Sequence, residues 1–223
     1  MKLQYYRLFV GLSFLCACNS PNENEEENLP RQVADAYGFG HMEQVESIQY
    51  TWNVQVDSAT VVTRDWRWDL QEGEVYYAGS DTSLVYSLSD TDSALKTIDH
   101  RFVNDKYWLL FPFQLAWDSG YDYEVIPDQR APISGENTTK LTILYNNTDG
   151  YTPGDAYDLY LNGDNRIIEW MFRRGNGENG RAMTWENIQD YQGIQIAREH
   201  RDQDGNKIIW FTNIAINKGK EFP

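Results

Sequence analysis

The chain has 223 residues, a formal net charge of −15 and a sequence pI near 4.5. A surface this acidic repels nucleic acid and anionic head groups, which excludes an electrostatic nucleic-acid binder. Both cysteines lie within the first eighteen residues, so the body of the chain has no disulfide, no thiolate metal site and no cysteine nucleophile.

The chain opens with a basic start, Lys2 and Arg7, followed by the apolar run Leu8 to Phe14. This is the layout of a secretory signal, too short for a permanent membrane span. The next four residues, Leu15-Cys16-Ala17-Cys18, resemble the lipobox of bacterial lipoproteins: an aliphatic residue, two small ones and the cysteine that takes the lipid. The resemblance implies a signal peptide over residues 1–17. It also implies acyl chains such as palmitate on Cys18, and a lipid anchor in the outer membrane. Residues 18–29 then form the lipidated cysteine and a tether. Asn19 to Asn28 has no apolar residue and buries no surface. Its acidic residues resemble the export signals that send lipoproteins to the cell surface in some Gram-negative groups, so the anchored face is periplasmic or extracellular.

Residues 30–223 read as one β-rich domain. Pro30 to Tyr37 has the spacing of a short helix, with Pro30 in the first turn and Gly38 at the stop. Ser47 to Val56 alternates, with Ile48, Tyr50, Trp52 and Val54 on one face. Thr60 to Leu70 alternates again, with Val62, Arg64, Trp66 and Trp68 against Thr63, Asp65, Arg67 and Asp69. Glu74–Ala78 and Ser83–Leu88 follow as strands. Asp92 to Val103 changes period: Leu95, Ile98 and Phe102 suit a helix, capped by Asp90 or Asp92. It runs into the apolar stretch Tyr107 to Phe113, where Pro112 is expected to stop the helix.

From Tyr121 onward strands are expected at 121–126, 139–145, 156–161, 166–173, 182–191, 194–201 and 207–216. Turn chemistry such as Asn162-Gly163-Asp164, Gln192-Gly193 and Asp204-Gly205 separates them. Links this short make sequential strands antiparallel. The predicted architecture is mainly β (α+β): a curled antiparallel sheet or half-barrel of about ten strands, covered by one or two helices.

Two motifs carry a wider resemblance. Phe102-Val103-Asn104-Asp105-Lys106-Tyr107-Trp108-Leu109-Leu110-Phe111-Pro112 and Thr152-Pro153-Gly154-Asp155 occur in this order in a group of bacterial secreted proteins and lipoproteins with no settled activity. The predicted pattern of strands and helix also resembles the lipoprotein-carrier fold of the LolA and LolB type. That resemblance implies a curled sheet and a helical lid around a cavity for acyl chains. It transfers no functional residue.

Eight Trp, fifteen Tyr and nine Phe supply either a packed core or the wall of an apolar pocket. Trp66, Trp68, Trp108 and Phe111 are the candidate wall residues. Arg64 shares a face with Trp66 and Trp68; if turned inward it needs an ion-pair partner or a ligand carboxylate or phosphate. In Thr152-Pro153-Gly154-Asp155, Asp155 is expected to bond backbone amides of a tight turn. Asp202-Gln203-Asp204-Gly205-Asn206 resembles the start of a calcium loop but lacks the distal glutamate, and reads as a hairpin turn. The chain has no Gly-x-Ser-x-Gly elbow, phosphate loop, dinucleotide fingerprint or His-Glu-x-x-His motif. No catalytic residue, metal or cofactor is expected, and no protein partner is indicated. The leading expectation is non-catalytic binding of an apolar or amphipathic ligand, a lipid or acyl chain. The alternatives are a cell-surface glycan-binding module, in which exposed aromatics stack on sugar rings, and a glycoside hydrolase using two carboxylates.

Overall fold

The computed structural model describes residues 29–89, 92–146 and 153–219. The signal segment, Cys18, the tether up to Asn28, Asp90 and Thr152 therefore lie outside the described residues, while Leu29 belongs to the first helix.

The first element is helix α1 (Leu29–Ala36), whose Leu29, Pro30, Val33 and Ala34 are buried. It ends at Gly38, which adopts φ 91°, a left-handed conformation that favours glycine. A 3-10 turn (Phe39–Gln44) leads into strand β1 (Val45–Gln55). Strands β2 (Val61–Asp69), β3 (Glu74–Ala78) and β4 (Ser83–Ser87) follow as an antiparallel meander. Alternation puts Ile48, Tyr50 and Trp52 of β1 directly opposite Trp68, Trp66 and Arg64 of β2, so these six side chains share the inner face.

Helix α2 (Lys96–Trp117) is longer than its sequence suggests. Asp92 accepts the Ala94 and Leu95 backbone N–H groups at 2.8 and 3.0 Å, satisfying the turn before the helix. Pro112 does not stop the helix. The backbone leaves helical geometry at Leu110 (φ −118°, ψ 18°), and the helix resumes beyond the kink to Trp117. Packing overrides the proline, because Leu109, Leu110, Phe111, Pro112 and Phe113 are all buried and a terminated helix would expose them.

Eight further strands complete the fold: β5 (Tyr121–Arg130), β6 (Asn137–Tyr145), β7 (Ala156–Leu161), β8 (Ile167–Arg173), β9 (Arg181–Thr184), β10 (Glu186–Tyr191), β11 (Ile194–Arg201) and β12 (Lys207–Lys218). The predicted curled, helix-covered β architecture forms, with twelve strands among the described residues in two antiparallel sheets. One sheet has the order β10-β11-β12-β1-β2-β3-β4 and the other β5-β6-β7-β8-β9. The stretch expected as one strand at 182–191 divides at Trp185: β9 pairs with β8 in one sheet, and β10 pairs with β11 in the other. This corner joins the two sheets into one open wrap. Edge strands β4 and β5 do not pair with each other, and α2 crosses between them in the chain. The core sits inside the wrap, built on Trp66, Trp170, Phe102, Phe111, Phe113 and Phe211.

Candidate functional site

Helix α2 is apolar on more than one face, and its faces meet different walls. Residues His100, Val103, Asn104, Tyr107 and Trp108 form a stripe three and four residues apart. Opposite them stand Tyr157 of β7 and Trp170 and Phe172 of β8. Together these residues enclose a cleft of about 250 Å³. Its walls are almost wholly aromatic. Trp108 stacks on Trp170 at 4.6 Å, and Trp170 stacks in turn on Trp185 at 5.3 Å. Tyr157 lies edge-on to Trp170 at 5.2 Å. The polar members, His100 and Asn104, are the exposed ones and form the rim.

The opposite stripe of α2 includes Phe102, Lys106, Phe113 and Trp117. Lys106, Gln114, Trp117 and Asp118 line a second cleft of about 430 Å³ with Phe39, Met42, Glu43, Trp68 and Leu70. Trp68 meets Phe102 and Trp117 edge-on at 5.9 and 6.0 Å.

A third depression, of about 640 Å³, lies over the outer face of the seven-stranded sheet. Gln49, Thr51, Asp65, Arg67, Asp69, Glu74 and Tyr76 belong to the outward phase of β1–β3, alternating with the inward tryptophans. Its lining is polar and acidic, unlike that of the two clefts.

Arg64, expected inward, is inward. Its guanidinium donates two bonds of 2.6 Å to the carboxylate of Asp105 on α2 and lies 3.9 Å from the Trp52 ring. Trp66 Nε1 and Asn104 Nδ2 donate to the same carboxylate at 2.9 and 3.0 Å. Asp105 is wholly buried. Burial pushes its pKa up, and the Arg64, Asn104 and Trp66 donors pull it back. This cluster ties α2 to β2, and it commits the Arg64 guanidinium to a protein carboxylate rather than to a ligand.

The structure therefore separates the five candidate wall and head residues. Trp108 and Trp68 line the two clefts. Trp66 and Phe111 are buried in the core, Trp66 as a donor to Asp105 and Phe111 against Trp170 at 4.7 Å. Arg64 is held in the ion pair. Of the smaller cleft's aromatic walls, sequence reading singles out Trp108 and counts Trp170 and Phe172 among the aromatics able to line a pocket, but it does not reach Tyr107 or Tyr157. Tyr157, Trp170 and Phe172 share one face of β7 and β8 through the register that pairs Tyr157 with Phe172 and Leu159 with Trp170, and Tyr107 meets them from α2.

Other groups with chemical potential are engaged. His200 is fully buried, with Nδ1 2.9 Å from the Thr184 carbonyl and Nε2 3.0 Å from that of Trp108. Burial lowers its pKa to about 4 against the pull of those two carbonyls. The buried carboxylates each accept protein hydrogen bonds: Asp99 from Tyr86, Asp158 from Thr142 and Arg173, and Glu169 from the Ile133 and Ser134 amides. Asp155 accepts the Gly175 amide at 2.7 Å, a bond to the turn that follows β8. Asp202 accepts the Asp204 and Asn206 amides, closing the hairpin between β11 and β12. Among the described residues, no three His, Cys, Asp or Glu side chains come together as a metal site.

No family model and no curated protein matches the chain. The solved structures similar to it include two from bacteria. One is a DUF1329 family protein from Desulfovibrio piger ATCC 29098, at 10% identity and a TM-score of 0.47, covering 87% of this chain and 95% of that one. The other is a LolA superfamily protein from Nitrosomonas europaea, at 10% identity and a TM-score of 0.44, covering 87% and 94%. The likeness is one of fold.

Proposed function

We propose that this protein is an outer-membrane-anchored lipoprotein that binds an apolar or amphipathic ligand, a lipid or acyl chain, without catalysis. The observation that carries this reading is the 250 Å³ cleft between α2 and the five-stranded sheet, walled by Val103, Tyr107, Trp108, Tyr157, Trp170 and Phe172. A concavity walled by aromatic side chains favours an apolar guest, and each ligand methylene buried there contributes about 0.8 kcal/mol. His100 and Asn104 at the rim suit the polar end of such a guest. The anchor rests on the lipobox-like sequence ending at Cys18, which would carry the acyl chains and make the membrane the protein's first partner.

Titration with N-phenyl-1-naphthylamine, an uncharged dye that brightens in apolar surroundings, tests the cleft. The full chain should bind it saturably, and Val103→Phe, which fills the cleft, should weaken binding about tenfold, the effect of about 1.4 kcal/mol. A dye that stays dark, or one that binds Val103→Phe as well as the parent, overturns the assignment. Metabolic labelling with palmitate tests the anchor: label should enter the parent and be lost in Cys18→Ser.

A specific observation favours one second reading, glycan binding. The outer groove combines Tyr76, 40% exposed, with the carboxylates of Asp65, Asp69 and Glu74, a platform and acceptors suited to sugar hydroxyls. Binding of oligosaccharides that is lost in Tyr76→Ala while dye binding persists would support it.

A further inference from the structure

The second cleft has a chemistry the first lacks. Lys106 is half-buried, and its ammonium lies 5.2 Å from the Trp68 ring centroid and 5.7 Å from that of Phe102. No ion pair or hydrogen bond reaches it among the described residues. Burial draws its pKa below the ordinary lysine range, against the upward pull of Asp118 and Asp99. A cation partly removed from water with no paired anion is costly to keep.

Two further side chains of the same cleft carry unsatisfied donors. Gln114 is 2% exposed and its Nε2 has no partner; the buried Trp68 Nε1 has none either. Both atoms are sealed beneath the cleft, so the wall around Lys106 is underlain by unsatisfied polar groups. The carboxylates at the cleft are placed otherwise. Asp118 accepts the Tyr107 and Tyr145 hydroxyls at 2.9 and 2.6 Å, and Glu43 is an exposed side chain of the 3-10 turn. The remaining walls, Phe39, Met42, Leu70 and Trp117, are apolar.

We propose that this cleft is a second ligand site, taking a long-chain carboxylate whose head pairs with Lys106 and whose tail lies along Trp68, Leu70, Met42 and Trp117. One cation facing two nearby carboxylates suits a singly charged head better than a phosphate dianion, which Asp118 and Glu43 would repel. The site is distinct from the Trp108 cleft and stands without it, because α2 separates the two.

Calorimetry with dodecanoate and dodecanol, performed in the parent and in the Val103→Phe background, tests the assignment. In both backgrounds dodecanoate should bind about tenfold more tightly than dodecanol, the effect of one charge-assisted bond. Lys106→Met should erase that preference and leave dodecanol binding as it was, Lys106→Arg should keep it, and Lys96→Met, an exposed lysine at the helix start, should not alter it. Equal affinity for the two ligands in the parent, or a preference that survives Lys106→Met, overturns the proposal. A carboxylate preference that disappears in Val103→Phe alone would place the head site in the first cleft and likewise overturn it. A dye that stays dark with the parent, or that binds Val103→Phe equally well, with the dodecanoate preference intact, would sink only the earlier reading.

Discussion

The His200 ring stands at the Trp108 carbonyl, which Pro112 leaves without its helical hydrogen-bond partner. In an unbroken helix the Trp108 carbonyl would accept the N–H four residues on, and that residue is Pro112, which has none. His200 Nε2, reaching across from β11, lies 3.0 Å from the orphaned oxygen. The kink at Leu110 is thereby stabilised by a partner 92 residues away. It also holds Trp108 against Trp170, so the bond fixes a wall of the smaller cleft.

Burial of this ring has a pH signature, which its two carbonyl neighbours oppose. The folded pKa of His200 is lowered to about 4 from an ordinary 6.5. The unfolded chain therefore takes up a proton at this site before the folded one does, and stability falls as pH drops from about 6.5 to about 4. The full loss is about 3 kcal/mol. Urea unfolding at pH 7 and pH 4.5 should show a smaller acid loss in His200→Gln than in the parent, since glutamine keeps a donor and does not titrate. Identical losses in the two proteins would contradict the assignment. In a double-mutant cycle, Pro112→Ala should reduce the cost of His200→Leu, because alanine returns an N–H to the Trp108 carbonyl.

The Asp105 cluster predicts asymmetric mutational costs. Asp105→Ala leaves Arg64 buried against Trp52 without its anion and should destabilise the protein by about 3–5 kcal/mol. Arg64→Met combined with Asp105→Leu removes both charges and should recover much of that loss. Chemical unfolding of the single and double variants checks this; equal stability of Asp105→Ala and the double variant would count against it.

Gly38 fixes the seat of α1. A Cβ added there would stand 1.9 Å from the Gly193 carbonyl oxygen, at a backbone φ of +91°. Gly193 closes the hairpin between β10 and β11, and Gln195 N–H donates to the Tyr37 carbonyl at 2.9 Å beside it. Gly38→Ala should cost about 3 kcal/mol through left-handed strain and the clash together. Thermal melting should show a clear drop for Gly38→Ala and almost none for Gly40→Ala, where an added Cβ meets nothing within 4 Å.

Much of the fold was legible because period and turn chemistry are local signals. The strands at 74–78, 156–161 and 194–201 have the predicted limits, and Arg64, Trp66 and Trp68 share the predicted inward phase. Two features were not legible, because their causes are distant in the chain. The helix passes Pro112 because the core and His200 support it, and nothing between Lys96 and Trp117 announces that support. The strand over 181–191 changes sheets at Trp185, because its first half pairs with β8 and its second with β11, partners distant from each other in the chain. Candidate site residues divided for a related reason: alternation shows which residues face inward, but not which inward residues border a void. Trp66 and Trp68 are two residues apart on one face, yet one is locked to Asp105 and the other walls a cleft.

The central claim is that the aromatic interior beside α2 holds a guest. Native mass spectrometry of the full chain, purified without added ligand and then mixed with dodecanol, measures this most directly. A non-covalent adduct beyond the chain's covalent mass, diminished in Val103→Phe, is the predicted result. A bare polypeptide that takes up no dodecanol in either form would contradict it.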